Sequence, residues 1–159
     1  MLRVGVKVAV FLVSWLSVVF LPDKKKMFVK YLPVSLFSSM LLMCEIFYFT
    51  THKLWKVPGG QKNMTHTAYL LLFGPYIIMS VWVFHLSRGK FSLYALINLI
   101  ADLIYAYPIK ALLKKFNLFH LKVKSIHFFL LIFADAMLNF VFQKFIEKIY
   151  PQTRMNELE

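Results

Sequence analysis

Three acidic residues lie inside long apolar segments of this sequence, at Glu45, Asp102 and Asp135. They are three of only seven acidic residues in the chain. A charged side chain at the centre of a bilayer costs at least about 2.5–3.5 kcal/mol on insertion scales. If these segments cross a membrane, each acid therefore needs a partner, a proton, a hydrated cavity or a functional role.

Amides and a tyrosine accompany two of these acids at helical spacing. Asn98 precedes Asp102 by four residues, and Tyr105 follows it by three, so the three side chains share one helix face. Asp135, Asn139, Gln143 and Glu147 follow one another at steps of four and form a stripe that drifts slowly around a helix. Carboxyl and amide oxygens suit a hard cation, and a carboxyl in an apolar site can carry a proton.

The candidate site therefore combines the two stripes with the acid of a third segment, and three interpretations of it are open. It is an ion or proton site, a substrate site, or a set of polar contacts that hold helices together, each worth about 0.6–2 kcal/mol. Whether the acids bind ions or protons or only hold helices together, we expect the two stripes to face each other inside the bundle, with at least one of Asp102 and Asp135 protonated near pH 7, because two ionised carboxylates in a dry interior repel. Asn98 and Asn139 would then hydrogen-bond the neutral acid. The candidate residues are Glu45, Asn98, Asp102, Tyr105, Asp135, Asn139 and Gln143.

Other site chemistry has little support in the sequence. The five histidines are scattered, with no H-E-x-x-H motif, and Cys44 is the only cysteine, so we expect no metal site and no disulfide. The sequence contains no nucleophile elbow, phosphate loop or nucleotide fingerprint. We therefore expect no cofactor and do not expect an enzyme.

The apolar segments themselves predict a small membrane protein. The chain has 159 residues, of which 60% are hydrophobic, above the roughly 45–50% typical of soluble domains. A membrane span needs about 20 apolar residues, and five segments meet that length as helices. The prediction is all-α: one membrane domain over residues 1–150, followed by a polar tail at 151–159. The predicted spans are about 4–21, 32–50, 67–86, 91–109 and 125–143.

Proline and glycine suggest where these helices begin, bend and end. Pro33 fits the first turn of the second helix, and Pro108 is expected to close the fourth. Residues 87–90 are so few that the third and fourth helices must form an antiparallel hairpin. Gly74-Pro75 predicts a kink inside the third helix, either a hinge or a static packing notch. The first apolar segment has basic residues before it but no small-residue cleavage site after it, so we interpret it as a retained span rather than a signal peptide.

Residues 110–124 differ from the spans because lysines alternate there with apolar residues. Leu112, Phe116, Phe119 and Val123 would share one face of a helix, with lysines on the other side. This pattern predicts an interfacial amphipathic helix on anionic headgroups, and a solvated loop is the alternative. The expected lipid-binding residues are Lys110, Lys114, Lys115, Lys122 and Lys124.

The net charge is +12, and the basic residues lie mainly at the flanks of the spans. This distribution favours a lipid surface over a nucleic acid as the partner. In a five-span topology, ten basic residues fall on the N-terminal side and nine on the other. The basic segment at 110–124 tips the expectation toward a cytoplasmic N-terminus. Five helices enclose little interior, so a homodimer or a larger membrane complex is also possible.

Several short motifs along the chain resemble a family of small multi-pass membrane proteins of spore-forming Gram-positive bacteria. They are Lys30-Tyr31-Leu32-Pro33, Phe73-Gly74-Pro75, Trp82, Gly89-Lys90-Phe91, Tyr94, Asn98 with Asp102, and Tyr105-Ala106-Tyr107-Pro108. The resemblance covers about residues 15–148 and implies a multi-pass protein of the bacterial cytoplasmic membrane. It brings no activity and no catalytic or ligand residues with it.

The sequence thus leaves two classes of function. The first is a binding, assembly or accessory subunit of the cell membrane, which the short polar faces and the lack of a large loop domain favour. The second is a small ion or proton conductor or transporter that uses the intramembrane acids.

Overall fold

The protein is a bundle of apolar helices. The structure is a computed structural model that describes residues 2–118 and 120–149. The elements in chain order are α1 (Leu2–Ser17), a 3-10 turn (Val18–Phe20), α2 (Lys24–Thr51), β1 (Trp55–Lys56), α3 (Gly60–Leu71), a first π segment (Leu72–Tyr76), α4 (Ile77–Ser87), α5 (Phe91–Ile104), a second π segment (Tyr105–Ile109), α6 (Lys110–Lys115), β2 (His120–Leu121) and α7 (Ser125–Ile149). The predicted polar tail at 151–159 lies outside the described residues.

Four helical runs are long and apolar enough to cross a membrane. They are Lys24–Thr51, Lys62–Ser87, Phe91–Lys115 and Ser125–Ile149. The helix over Gly5–Phe20 is apolar but shorter. The predicted all-α membrane bundle is confirmed, with four clear spans and a fifth, shorter apolar helix.

The short helix α1 lies against the run formed by α3 and α4 and points in the same direction. The Lys7 ammonium donates to Thr67 Oγ1 at 2.6 Å, and the Trp15 indole donates to the Phe73 carbonyl at 3.0 Å. Further along, the Trp82 indole donates to Ser17 Oγ at 3.1 Å. Because contacts continue in register from Thr67 to Trp82, α1 covers most of the depth of the neighbouring span.

Helix α2 begins earlier than the sequence suggested. It starts at Lys24 rather than near residue 32, and Pro33 lies inside it rather than in its first turn. The lysines and apolar residues before Pro33 are good helix formers, and they carry the helix back through the predicted basic loop. Proline at that point removes one backbone donor and leaves the carbonyl one turn earlier without its helical partner.

Two prolines fall in π segments instead of ending helices. Pro108 was expected to close the fourth helix, yet the chain passes through the second π segment and stays helical to Lys115. Pro75 lies in the first π segment. The wider turn accommodates a residue that lacks a backbone donor.

The kink at Gly74 brings two helices into close contact. A Cβ atom at Gly74 would lie 2.7 Å from Phe11 Cδ2 and 3.4 Å from Phe11 Cα, so α1 can approach only because the residue is glycine. This close contact supports the packing-notch interpretation of Gly74-Pro75.

The two ends of the bundle carry different connections. At the end that we call the strand face, β1 pairs with β2 in antiparallel register, Trp55 opposite Leu121 and Lys56 opposite His120. The expected amphipathic helix over 110–124 is therefore wrong beyond Lys115, because the segment turns and forms this strand. At the other end, which we call the hairpin face, Arg88 and Gly89 adopt positive φ angles of 49° and 72° and reverse the chain between α4 and α5.

Two separate apolar clusters pack the ends of the bundle. The hairpin-face cluster is formed by Leu21, Tyr31, Val34, Val81, Val83, Phe84, Tyr94, Ala136 and Phe140. The strand-face cluster has Phe49, Trp55 and Val57 at its centre, with Leu113, Leu121 and Leu131 packed against it. The middle of the bundle lies between them.

The register of α1 predicts a topology that labelling can test. In a Cys44→Ala background, we expect cysteines at Gly5, Lys56 and Lys122 to react from one side of the membrane, and cysteines at Lys25 and Arg88 from the other. Gly5 has open space around it, so a side chain fits there without strain. Labelling of Gly5→Cys from the same side as Lys25→Cys would show that α1 does not cross.

Candidate functional site

The central feature of the bundle interior is a contact between two acids on different helices. Glu45 on α2 and Asp135 on α7 lie in hydrogen-bonding range of each other through their carboxyl groups. Ionised carboxylates only accept hydrogen bonds, so this contact is favourable only when one of the two groups carries a proton. The pair therefore shares a proton or repels.

A third acid lies in electrostatic range of this pair. Asp102 on α5 interacts with Asp135, and its Oδ2 atom is buried with no hydrogen-bond partner in the described part of the chain. The Tyr76 hydroxyl, from the first π segment, is within electrostatic range of Glu45, Asp102 and Asp135. Four helical runs thus send a titratable group toward one interior region.

Packing between α5 and α7 sets the distance between their two acids. The Tyr94 hydroxyl donates to the Ala136 carbonyl at 3.0 Å, and its ring lies 5.0 Å from that of Phe140. The two helices run antiparallel, as the contact of Phe91 with Phe140 and that of Tyr105 with Phe128 also require. The polar stripes of these two helices were expected to face each other, and Asp102 does lie near Asp135 in this arrangement.

The amide side chains do not bind the acids as expected. Asn98 Nδ2 donates to the Tyr94 carbonyl at 2.8 Å, on its own helix. Asn139 Nδ2 donates across the bundle to Ser38 Oγ at 2.9 Å. Each amide therefore has a hydrogen-bond partner that is not an acid, and Glu45 lies in hydrogen-bonding range of another acid, Asp135.

Ser38 and Tyr76, which sequence reasoning did not select, complete the site. Ser38 contacts Asn139 and also lies in hydrogen-bonding range of the Tyr76 hydroxyl. Ser35, Ser38 and Ser39 are all buried on α2, at a spacing that places small polar groups on one helix face. That spacing, and a tyrosine directly after Gly74-Pro75, were the signals available in the sequence.

The remaining predicted residues lie on either side of the acids. Tyr105 is within electrostatic range of Glu45 and packs on Phe128. Gln143 lies toward the hairpin face and donates through Nε2 to Glu147 Oε1 at 3.2 Å. Glu147 in turn pairs with Lys144 at 2.8 Å. Asn98 and Gln143 therefore both hydrogen-bond within their own helices.

The predicted lipid-binding lysines do not form one set. Lys110 is used inside the protein: its ammonium donates to the Val123 carbonyl and to Ser125 Oγ at 3.4 Å, and it lies 5.7 Å from the centre of the Phe128 ring. It therefore ties the end of the α5–α6 run to the start of α7 rather than projecting to lipid. The four others are exposed: Lys114, Lys115, Lys122 and Lys124.

Neither a metal centre nor a relative identifies the site. Among residues 2–118 and 120–149, no group of three or more His, Cys, Asp or Glu side chains is arranged to hold a metal ion. No family model, curated protein or solved structure matches the chain. What the site can do therefore follows from its own residues.

The role of Lys110 predicts a local loss of stability on substitution. We expect Lys110→Met to weaken the junction between α6 and α7 by about 1–3 kcal/mol, because it leaves the Val123 carbonyl without its donor. Amide hydrogen exchange over residues 120–126 should become faster. Lys114→Met is the control, since Lys114 is exposed, and it should leave the exchange unchanged; an equal effect of both variants would contradict the assigned role.

Proposed function

We propose that this membrane protein binds protons at the Glu45–Asp135 pair and moves them across the bilayer, with Asp102 and Tyr76 as neighbouring groups. The observation that carries the proposal is the carboxyl–carboxyl contact between α2 and α7. Such a contact holds a proton at bilayer depth, and the second carboxyl accepts that proton when it moves.

The pairing pattern supports a proton site over simple helix adhesion. If the acids only joined helices, an amide donor on each carboxyl would serve better, because an amide hydrogen-bonds a carboxylate without any added proton. The Asn98 and Asn139 donors go instead to a backbone carbonyl and to a serine hydroxyl. A pair of acids beside a third acid is a costly arrangement for a purely structural contact, because like charges at close range repel.

A proton is the favoured species because the pair needs one for its own stability. A metal cation would compete with that proton for the same carboxyl oxygens. The three acids come from three different helical runs, so a small relative movement of these helices changes which acid the proton can reach. Assembly or accessory binding remains the alternative function, and the flux measurement separates the two.

The proposal predicts loss of proton flux when the acids become amides. In proteoliposomes under an imposed membrane potential, we expect Glu45→Gln and Asp135→Asn to lower proton flux by at least about tenfold. Asp102→Asn should lower it as well, since its carboxyl is the next group in electrostatic range. An amide keeps the size and polarity of the carboxyl group, so the variants should remain folded.

The control for that experiment is Asp23→Asn, which removes an exposed acid at the start of α2. Its flux should match that of the unchanged protein. Flux in the unchanged protein no greater than in empty vesicles, or full flux in the Glu45 and Asp135 variants, would reject proton transfer and favour the assembly role.

We further propose that the protein resides in a bacterial cytoplasmic membrane, as the family resemblance implies, with anionic lipid at the strand face. Lys114, Lys115, Lys122 and Lys124 are the exposed cations of that segment. Each lysine near an anionic surface contributes about 1 kcal/mol of attraction.

Native mass spectrometry tests the lipid proposal. A variant with glutamine at all four lysines should retain fewer anionic lipids than the unchanged protein, while both should retain equal amounts of zwitterionic lipid. Equal retention of anionic lipid by the two proteins would contradict the proposal.

A further inference from the structure

The polar stripe of α7 continues from the acid pair toward the hairpin face and stays buried as it goes. Asn139 and Gln143 are only 6% and 2% exposed. They follow Asp135 at steps of four residues, which is about 6 Å of rise per step on a helix. The last member, Glu147, is paired with Lys144.

Helix α2 contributes hydroxyl groups along the same stretch. The antiparallel packing of α2 on α7 is set by Ser38 with Asn139 and by the stacked rings of Phe37 and Phe142, 4.1 Å apart. One turn further along, this register brings Ser35 to the level of Gln143. The layers from the acids to the hairpin face are therefore Glu45 with Asp135, Ser38 with Asn139, and Ser35 with Gln143.

Each of the last two layers contains buried acceptors that no described group satisfies. They are Asn139 Oδ1, Gln143 Oε1 and Ser35 Oγ. A buried polar atom left without a partner costs about 1–3 kcal/mol, so three of them in consecutive layers point to donors that the protein itself does not supply. A water molecule between two acceptors one helical turn apart makes two hydrogen bonds of about 2.8 Å, which matches the layer spacing.

The opposite end of the bundle has a different character. Between the acids and the strand face lies the apolar cluster around Phe49, Trp55 and Val57, to which α7 contributes Leu131, one turn from Asp135. The paired strands β1 and β2 cover that end. Toward the hairpin face, a line of polar side chains on α2 and α7 therefore runs beside the hairpin-face cluster, whereas toward the strand face the acids meet apolar side chains.

We infer that water molecules bound along Ser38, Asn139, Ser35 and Gln143 connect the carboxyl pair with Glu147 and the hairpin face, and that this is the route by which the pair exchanges protons in this conformation. The inference rests on the proposed function and adds the direction in which a proton leaves the acid pair. A proton leaves the Glu45–Asp135 pair to the first water, and each water passes one proton on as it receives one. Glu147 or bulk water at the hairpin face takes the last proton.

The charged groups at the exit suit this role. Glu147 is within electrostatic range of Tyr31 and of Lys30, and it is bound by Lys144 and Gln143. The Lys144 ammonium also lies 3.6 Å from the position of a Cβ at Gly89, so the turn between α4 and α5 adjoins the exit. Glu147 is therefore the charged group at the hairpin-face end of the polar stripe, between the buried amides and bulk water.

Infrared spectroscopy of the full-length protein in lipid vesicles tests this route. The carbonyl band of the protonated pair is assigned by its loss in Glu45→Gln and Asp135→Asn, and its shift after transfer to D2O measures exchange. We expect Gln143→Met, which keeps the size but removes the polar group, to slow this exchange by about tenfold or more, because exchange then waits for local opening of the bundle. Gln143→Glu should exchange at close to the original rate.

Leu131→Met is the matched control on the same helix toward the strand face, and its exchange rate should not change. Exchange in Gln143→Met as fast as in the unchanged protein would overturn the route, even if the acid variants had lost proton flux. Slower exchange in Leu131→Met than in Gln143→Met would also overturn it and assign access to the strand face. A missing carbonyl band in the unchanged protein would instead reject the protonated pair, and with it the proposed function.

Discussion

The constraint on which this structure depends is the cost of charge inside a bilayer. Glu45 and Asp135 lie in hydrogen-bonding range of each other between apolar helices, and this contact is favourable only when one of the two carboxyls carries a proton. Other features of the interior follow from this contact. It holds α2 and α7 together, and it determines which neighbouring groups can be tolerated beside it.

The two apolar clusters lie on either side of this contact, one toward each face of the bundle. At the strand face, the packing of Trp55 under a two-stranded pairing fills the space above the acids. Toward the hairpin face, serines and amides interrupt the apolar packing along the α2–α7 contact. A membrane protein of this size has few buried positions. Polar atoms without hydrogen-bond partners at several of these positions lower its stability, which favours a functional role for them.

The prolines contribute to the same arrangement. Pro75 and Pro108 lie in π segments, which change the direction in which the following residues project without ending the helix. Tyr76 directly follows Pro75, and Tyr105 opens the second π segment. Both tyrosines lie in electrostatic range of Glu45. Local backbone irregularity is thus found at the level of the acids, where polar groups from different helices have to meet.

The sequence by itself determined the class of fold, because a chain so rich in apolar residues, in segments of membrane length, has only helices as a stable form in lipid. It also determined which residues were unusual, since Glu45, Asp102 and Asp135 stand out in any apolar segment. Tertiary structure decided the helix boundaries, because Lys24–Lys30 and the residues after Pro108 continue helices that the local sequence appeared to stop. It alone decided that Glu45 meets Asp135, that Asn139 binds Ser38, and that Lys110 is used internally. Helical periodicity gives the face on which a side chain lies, but the partner of that face depends on how separate helices pack, and no local pattern contains that information.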